Sequence, residues 1–235
     1  MEEKICGIVV GAVSYGESDK ILTIYTPEKG LVSAGIKGVK KAGAKLKFAS
    51  EPFCFAEFIT SVSPKRRTVT GASLIDSFYP LREDIKKFYA GATAIDYVKR
   101  FCRYESTAGE IFTLLIDCLK TLAYGNENPL SVVASFLIDA LAFSGYGLNL
   151  NACLYCGKDI EGRVFFNPND GGFYCEECFN GFGREIREET YKSIKAIKNN
   201  ESQQADCLPV LKLLDYYLEN KTDLPLNTLK ELIKL

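Results

Sequence analysis

An α+β protein of two parts, a small N-terminal β-barrel followed by an α-helical domain with an inserted four-cysteine module, is what this 235-residue sequence predicts. Three observations carry that prediction. Five short segments rich in β-branched and aromatic residues precede Pro80. After Pro80 the apolar period changes from two to about 3.6 residues. Two CxxC pairs interrupt the helical part, between Cys153 and Cys178.

The strands are read at residues 8–13 (IVVGAV), 21–26 (ILTIYT), 31–37 (LVSAGIK), 53–59 (FCFAEFI) and 68–75 (TVTGASLI), separated by Gly, Pro or charged clusters. Gly16-Glu17-Ser18-Asp19 and Pro27-Glu28-Lys29-Gly30 have the composition of turns, the second joining two strands as a hairpin. Five strands in about eighty residues suit the OB-fold barrel, with an SH3-like barrel as the competing closure. The barrel domain is therefore assigned to residues 1–80 and the helical domain to 81–235.

Beyond Pro80, Phe88, Ala92, Ile95, Val98 and Cys102 form one helical stripe, and Ile111, Leu114, Leu115, Cys118 and Leu122 form another. Asn128-Pro129 reads as an N-cap with proline at the first helical position. The helix it opens, 130–144, is apolar on nearly every side, as a central bundle helix would be. Arg184 to Lys198 reads as a charged helix, and 208–218 and 226–235 as amphipathic ones, with a polar loop over 199–206. The longest apolar stretch, around Val132 to Phe143, is broken by Ser135 and Asp139 and is too short for a membrane span. The acidic start, MEEK, does not resemble a secretory signal.

The cysteine module, at about 149–182, has the spacing CxxC-x18-CxxC. Each CxxC aims two sulfurs at one point, and the intervening RVFFNPNDGGFYC reads as a hairpin that returns the second pair to the first. Cys153, Cys156, Cys175 and Cys178 are thus the expected ligands of a structural Zn²⁺, because four thiolates saturate a tetrahedral ion and leave no position for substrate. Iron takes the same ligand set, and a redox CxxC is the third reading. The other five of the nine cysteines stand singly in apolar surroundings, the pattern of buried thiols in a reducing cytoplasm.

The chain has no histidine. Ser-His-Asp triads, Cys-His dyads, HExxH hydrolases and His-based deaminase sites all need an imidazole, so each is excluded. Walker A and GxGxxG loops are absent as well. The reading is of a non-enzyme.

The formal net charge is −1, yet its distribution is uneven. From Gly30 to Ser50 there is no acid, while Lys37, Lys40, Lys41, Lys45 and Lys47 fall within that span. Lys65-Arg66-Arg67 forms a second basic knot. Such a local patch can follow a phosphate backbone, each neutralised phosphate releasing a counterion. Tyr15, Tyr25, Phe48, Phe53 and Phe55 share the domain and offer stacking surfaces, although most are expected in the barrel core. A solvated lysine loop is the bland alternative. No base-edge reader is evident, so binding would tolerate any sequence.

In order along the chain, YGESDKIL with the following KGVKK, then EPFCFAEF, SFYPLRED and GYGLNLNACLYCG, resemble the bacterial RecO family of recombination mediators over the whole length. The resemblance implies an OB-fold, a helical domain and an inserted zinc module. It also implies binding of single- and double-stranded DNA, annealing of complementary strands, and action with RecR in loading RecA on strands coated by single-stranded DNA-binding protein (SSB), whose acidic C-terminal tail is a further partner. It carries the basic segment onto Lys37, Lys40, Lys41, Lys45 and Lys47 and the zinc ligands onto the four cysteines. A cytoplasmic, nucleoid-associated location follows. The other class of function to be weighed is a zinc-stapled protein-interaction scaffold in which the lysines only solvate the surface.

Overall fold

The structure is a computed structural model and describes residues 1–64, 66–104, 109–199, 201 and 205–235. Five strands, β1 (Glu2–Tyr15), β2 (Asp19–Thr26), β3 (Gly30–Ile36), β4 (Phe55–Ser63) and β5 (Arg66–Asp76), close into a barrel in the order β1-β2-β3-β5-β4. β1 makes closure possible by serving two neighbours. Its first half pairs antiparallel with β4, from Glu2↔Ser61 to Ile8↔Phe55, and its second half with β2, from Ile8↔Tyr25 to Tyr15↔Asp19. A register shift between Val9 and Gly11 turns the strand from one partner to the other. A short parallel pair, Gly35↔Thr68 and Ile36↔Val69, seals the barrel between β3 and β5. This shared long strand and parallel seam identify the OB-fold over the SH3-like alternative.

β1 begins six residues before the apolar signal read at Ile8, at the charged Glu2. Full closure rewards backbone pairing there whatever the side chains, since an open edge would leave donors and acceptors unpaired. Inward positions alternate as a strand requires: Leu22 and Ile24 on β2 and Ala34 and Ile36 on β3 are buried. The segment between β3 and β4 contains no strand and only a single turn of 3₁₀ helix, Phe48–Ser50. It nevertheless contributes Val39, Leu46, Phe48 and Ala49 to the barrel core. Its apolar residues point in and its lysines point out.

The helices are α1 (Ile85–Phe101), α2 (Gly109–Tyr124), α3 (Pro129–Phe143), α4 (Glu188–Lys198), α5 (Cys207–Thr222) and α6 (Asn227–Lys234). Asn128 caps α3 as its sequence demands: the Leu130 backbone N–H donates to Asn128 Oδ1 at 3.0 Å, with Pro129 following the cap. α1 buries Ala90, Ala94, Tyr97 and Val98, while Phe88 of the expected stripe is 36% exposed. Small alanines, weak hydrophobic signals, mark the true face.

The chain packs as two compact units, one of residues 1–80 with 95–123 and one of 81–94 with 124–235. In the first, Phe112 of α2 meets Tyr25 and Phe55 at ring-centroid distances of 5.8 and 6.0 Å. In the second, α3, α4 and α5 pack together and α6 lies on α5. That unit also holds a small sheet, β7-β6-β8, of β6 (Val164–Asn167), β7 (Gly172–Cys175) and β8 (Arg184–Ile186). β8 corrects the helix expected from Arg184: Val164↔Ile186 and Phe166↔Arg184 pair instead, and the helix starts only at Glu188. Among the described residues no helix is long and apolar enough to cross a membrane.

Candidate nucleic-acid interface and metal centre

The outer face of the barrel carries a cavity of about 420 Å³. Its floor is a row across three strands, through the pairs Ile21↔Gly35 and Gly35↔Thr68. Gly35 keeps the middle of this row low, and a Cβ built on it would meet only the Arg67 carbonyl oxygen, at 3.8 Å. Tyr15, Lys20, Lys37, Arg66 and Arg67 also line the cavity, with Asp19 among them. The result is an open, cationic groove with one aromatic wall.

Among the expected stacking residues, only Tyr15 is free for that task, at 64% exposed. Tyr25 and Phe53 are fully buried, Phe48 packs against the core and Phe55 against Phe112. Lys37, Lys40, Lys41, Lys45 and Lys47 are all exposed, and among the described residues none of them forms an ion pair. Lys37 lines the groove, and the other four continue along the same segment outside its lining. Arg66 is exposed at the groove edge. Arg67 lines it too but is committed to Glu3, its Nη1 donating to a carboxylate that also accepts from Lys29. Lys65 lies outside the described residues.

Three consecutive residues hold the basic segment in place. The Gly38 N–H donates to Asp19 Oδ1 at 2.8 Å, and the Lys40 N–H donates to the Ser18 carbonyl oxygen at 3.0 Å. Lys20 Nζ reaches the far end, donating to Ser50 Oγ at 3.2 Å. Gly38 adopts φ 64°, a left-handed conformation that a side chain would oppose. The Gly38 amide, then the Ser18 hydroxyl, then the charges of Lys37 and Lys41 hold the Asp19 carboxyl below its ordinary range. Asp19 and Lys20 were not among the candidates from sequence. The available signal was their position, at the first residues of β2 directly after the turn.

In the second unit the Sγ atoms of Cys153, Cys156, Cys175 and Cys178 lie within 4.8 Å of one another. Tetrahedral zinc with its usual Zn–S bonds sets sulfurs about 3.8 Å apart, so the group fits such an ion with small adjustment. The first pair sits in a knuckle closed by the Cys153 N–H donating to the Lys158 carbonyl and the Gly157 N–H to the Cys153 carbonyl, each at 2.9 Å. The second pair ends β7 and the turn after it, brought back by the β6–β7 hairpin. Burial raises the Cys153 thiol, but backbone amides of Cys156, Cys175 and Tyr155 more than offset this and bring it to about 6. Cys178, donating to Cys175 and partly desolvated, is pushed up to about 12. Four thiolates this close repel one another, and a divalent cation is what lets them ionise together. These residues can hold a metal ion.

Comparison with known proteins agrees over nearly the whole chain. Residues 1–78 match the family described as Recombination protein O N terminal, and residues 82–230 the one described as Recombination protein O C terminal. A protein of Caldicellulosiruptor saccharolyticus named DNA repair protein RecO is 29% identical over 216 residues, covering 92% of this chain and 88% of the relative. One of the same name from Caldicellulosiruptor bescii is 31% identical over 194 residues, with 83% and 79% covered. Another, from Rubrobacter xylanophilus, is 34% identical over 173 residues, with 73% and 69% covered.

Proposed function

We propose that this chain, which belongs to the recombination protein O (RecO) family, serves DNA repair and recombination by holding DNA in the cationic groove of its barrel. The observation that carries the reading is the groove itself. Lys37, Arg66 and Arg67 line it, Tyr15 stands exposed at its wall, and the remaining lysines extend the positive track beyond it. OB-folds bind oligonucleotides on the face of their second and third strands, which is where this groove lies.

The physical sequence is simple. Lysines displace counterions from phosphates and give salt-sensitive, sequence-tolerant affinity. Tyr15 offers a flat surface to a base, which any unpaired base can use. A strand held by its phosphates, with bases accessible, is competent to meet its complement, so annealing follows without chemistry. The complete lack of histidine accords with a non-enzymatic mediator. The finer role is action with RecR in loading RecA onto SSB-coated single strands, with the SSB tail as a partner, in a cytoplasmic, nucleoid-associated setting. We assign Lys37, Lys40, Lys41, Lys45, Lys47, Lys65 and Arg66 to DNA contact, with Arg67, tied to Glu3, adding to the positive lining beside them. Cys153, Cys156, Cys175 and Cys178 would hold Zn²⁺, which supplies a cross-link and no reaction step.

The test is binding of a fluorescent oligonucleotide across a salt series. Replacing Lys37, Lys40 and Lys41 by Glu is expected to weaken binding at least about tenfold near 0.1 M salt and to flatten the salt slope, since phosphate contacts are lost. Unchanged affinity and slope in the triple variant would remove the groove from the DNA path.

A further inference from the structure

An acid at the rim of a DNA groove is expected to repel phosphate, and Asp19 lines this one. Its hydrogen bonds point to a different effect. Asp19 Oδ1 accepts from the Gly38 N–H at 2.8 Å and from the Ser18 hydroxyl at 3.0 Å. The Ser18 carbonyl takes the Lys40 N–H, and Lys20 takes hold of Ser50. The three residues therefore grip both ends of the segment that carries Lys37, Lys40, Lys41, Lys45 and Lys47. Between those grips the backbone runs as successive turns with no ladder partner of its own. A free loop of this composition would spread its lysines over many conformations, and ordering them on DNA would cost entropy at the moment of binding.

We propose that Asp19 is a positioning residue for DNA binding: it raises affinity, despite its negative charge, by holding the lysine segment in shape against the groove. This rests on the DNA-binding reading above. Electrostatics and positioning predict opposite signs for the same substitution. Removing the charge alone tightens binding if Asp19 merely repels phosphate, whereas removing the acceptor loosens it if Asp19 positions the segment.

The experiment uses the full chain, a fluorescent thymidine oligonucleotide and two variants. Asp19→Ala deletes the acceptor, and Asp19→Asn deletes the charge but keeps an oxygen facing Gly38. The expected result is about fivefold weaker binding for Asp19→Ala, with Asp19→Asn at or above the parent's affinity. Amide hydrogen exchange adds a reading independent of DNA: the Gly38 and Lys40 amides lose protection in Asp19→Ala and keep it in Asp19→Asn. Equal or tighter binding by Asp19→Ala overturns the proposal, as does equal weakening in both variants or deprotected amides with unchanged affinity. Failure of the parent protein to bind the oligonucleotide is a separate outcome, which overturns the DNA-binding reading and the proposal resting on it, whatever the exchange data.

Discussion

Glu3 shows how one carboxylate can divide a basic surface into structural and available charge. It accepts from both Lys29 and Arg67, so these two cations serve the barrel instead of standing free. Hydrogen bonding from Lys29, against a burial cost and helped by Arg67, holds the Glu3 carboxyl below the usual carboxylate range. A depressed folded-state pKa contributes stability that is present above the unfolded value and lost as pH falls through the folded one. Glu3→Gln is therefore expected to cost up to about 1 kcal/mol at pH 7, the scale of a partly exposed ion-pair network. The deficit should shrink as pH falls below the usual carboxylate range and vanish once Glu3 is protonated in the folded parent. Urea denaturation of both proteins at several pH values measures it, and a deficit that persists at low pH would assign the effect to packing.

β3 shows the same economy in an element. Its inward positions, Val32, Ala34 and Ile36, fill the core, while outward it presents Ser33 and Gly35, two of the smallest side chains available, to the groove. Gly35 sits in ordinary strand backbone, and a Cβ there would make only an ordinary van der Waals contact, so the glycine is not demanded by conformation. Gly35→Val should keep the barrel folded and fill the floor of the groove. Losing one stacked base is worth ~1–3 kcal/mol, so single-strand binding should fall about tenfold with the salt slope unchanged. Unaltered affinity in a folded Gly35→Val protein would put the bases elsewhere. The groove was only half legible in the sequence. Lysines without neighbouring acids announced the basic segment, and the N-cap at Asn128 and the paired cysteines announced themselves through local chemistry. The row Ile21-Gly35-Thr68 could not be read, because it exists only through strand register. Nor could the fate of Arg67, decided by Glu3 from 64 residues away. β8 was hidden for the same reason, as Arg184-Glu185-Ile186 has no strand signal until Val164 and Phe166 supply a partner.

Across the molecule the barrel and the four-cysteine group fall in different packing units, and the stability and DNA contact of the protein should separate accordingly. The module around the cysteines has a three-stranded sheet of only four, four and three residues, too little apolar surface to specify itself without a cross-link. With a cation sharing the charge of the four sulfurs, metal binding and local folding would be one event. Cys153 is the most enclosed of the four, at 2% exposed, and receives three backbone amides, so its loss removes both a candidate ligand and the anchor of the first knuckle. Cys153→Ser, or stripping metal with a strong chelator, is expected to lower the thermal midpoint by several degrees, each kcal/mol being worth about 2–4 °C in a chain of this size. The purified parent should release about one Zn²⁺ per chain when its thiols are titrated with a mercurial. Below the lowered midpoint, oligonucleotide affinity and its salt slope should match the parent, because Lys37, Arg66 and Tyr15 lie on strands and turns of the barrel. A Cys153→Ser protein of full stability that had lost DNA binding would reverse this division and place the module itself on the DNA.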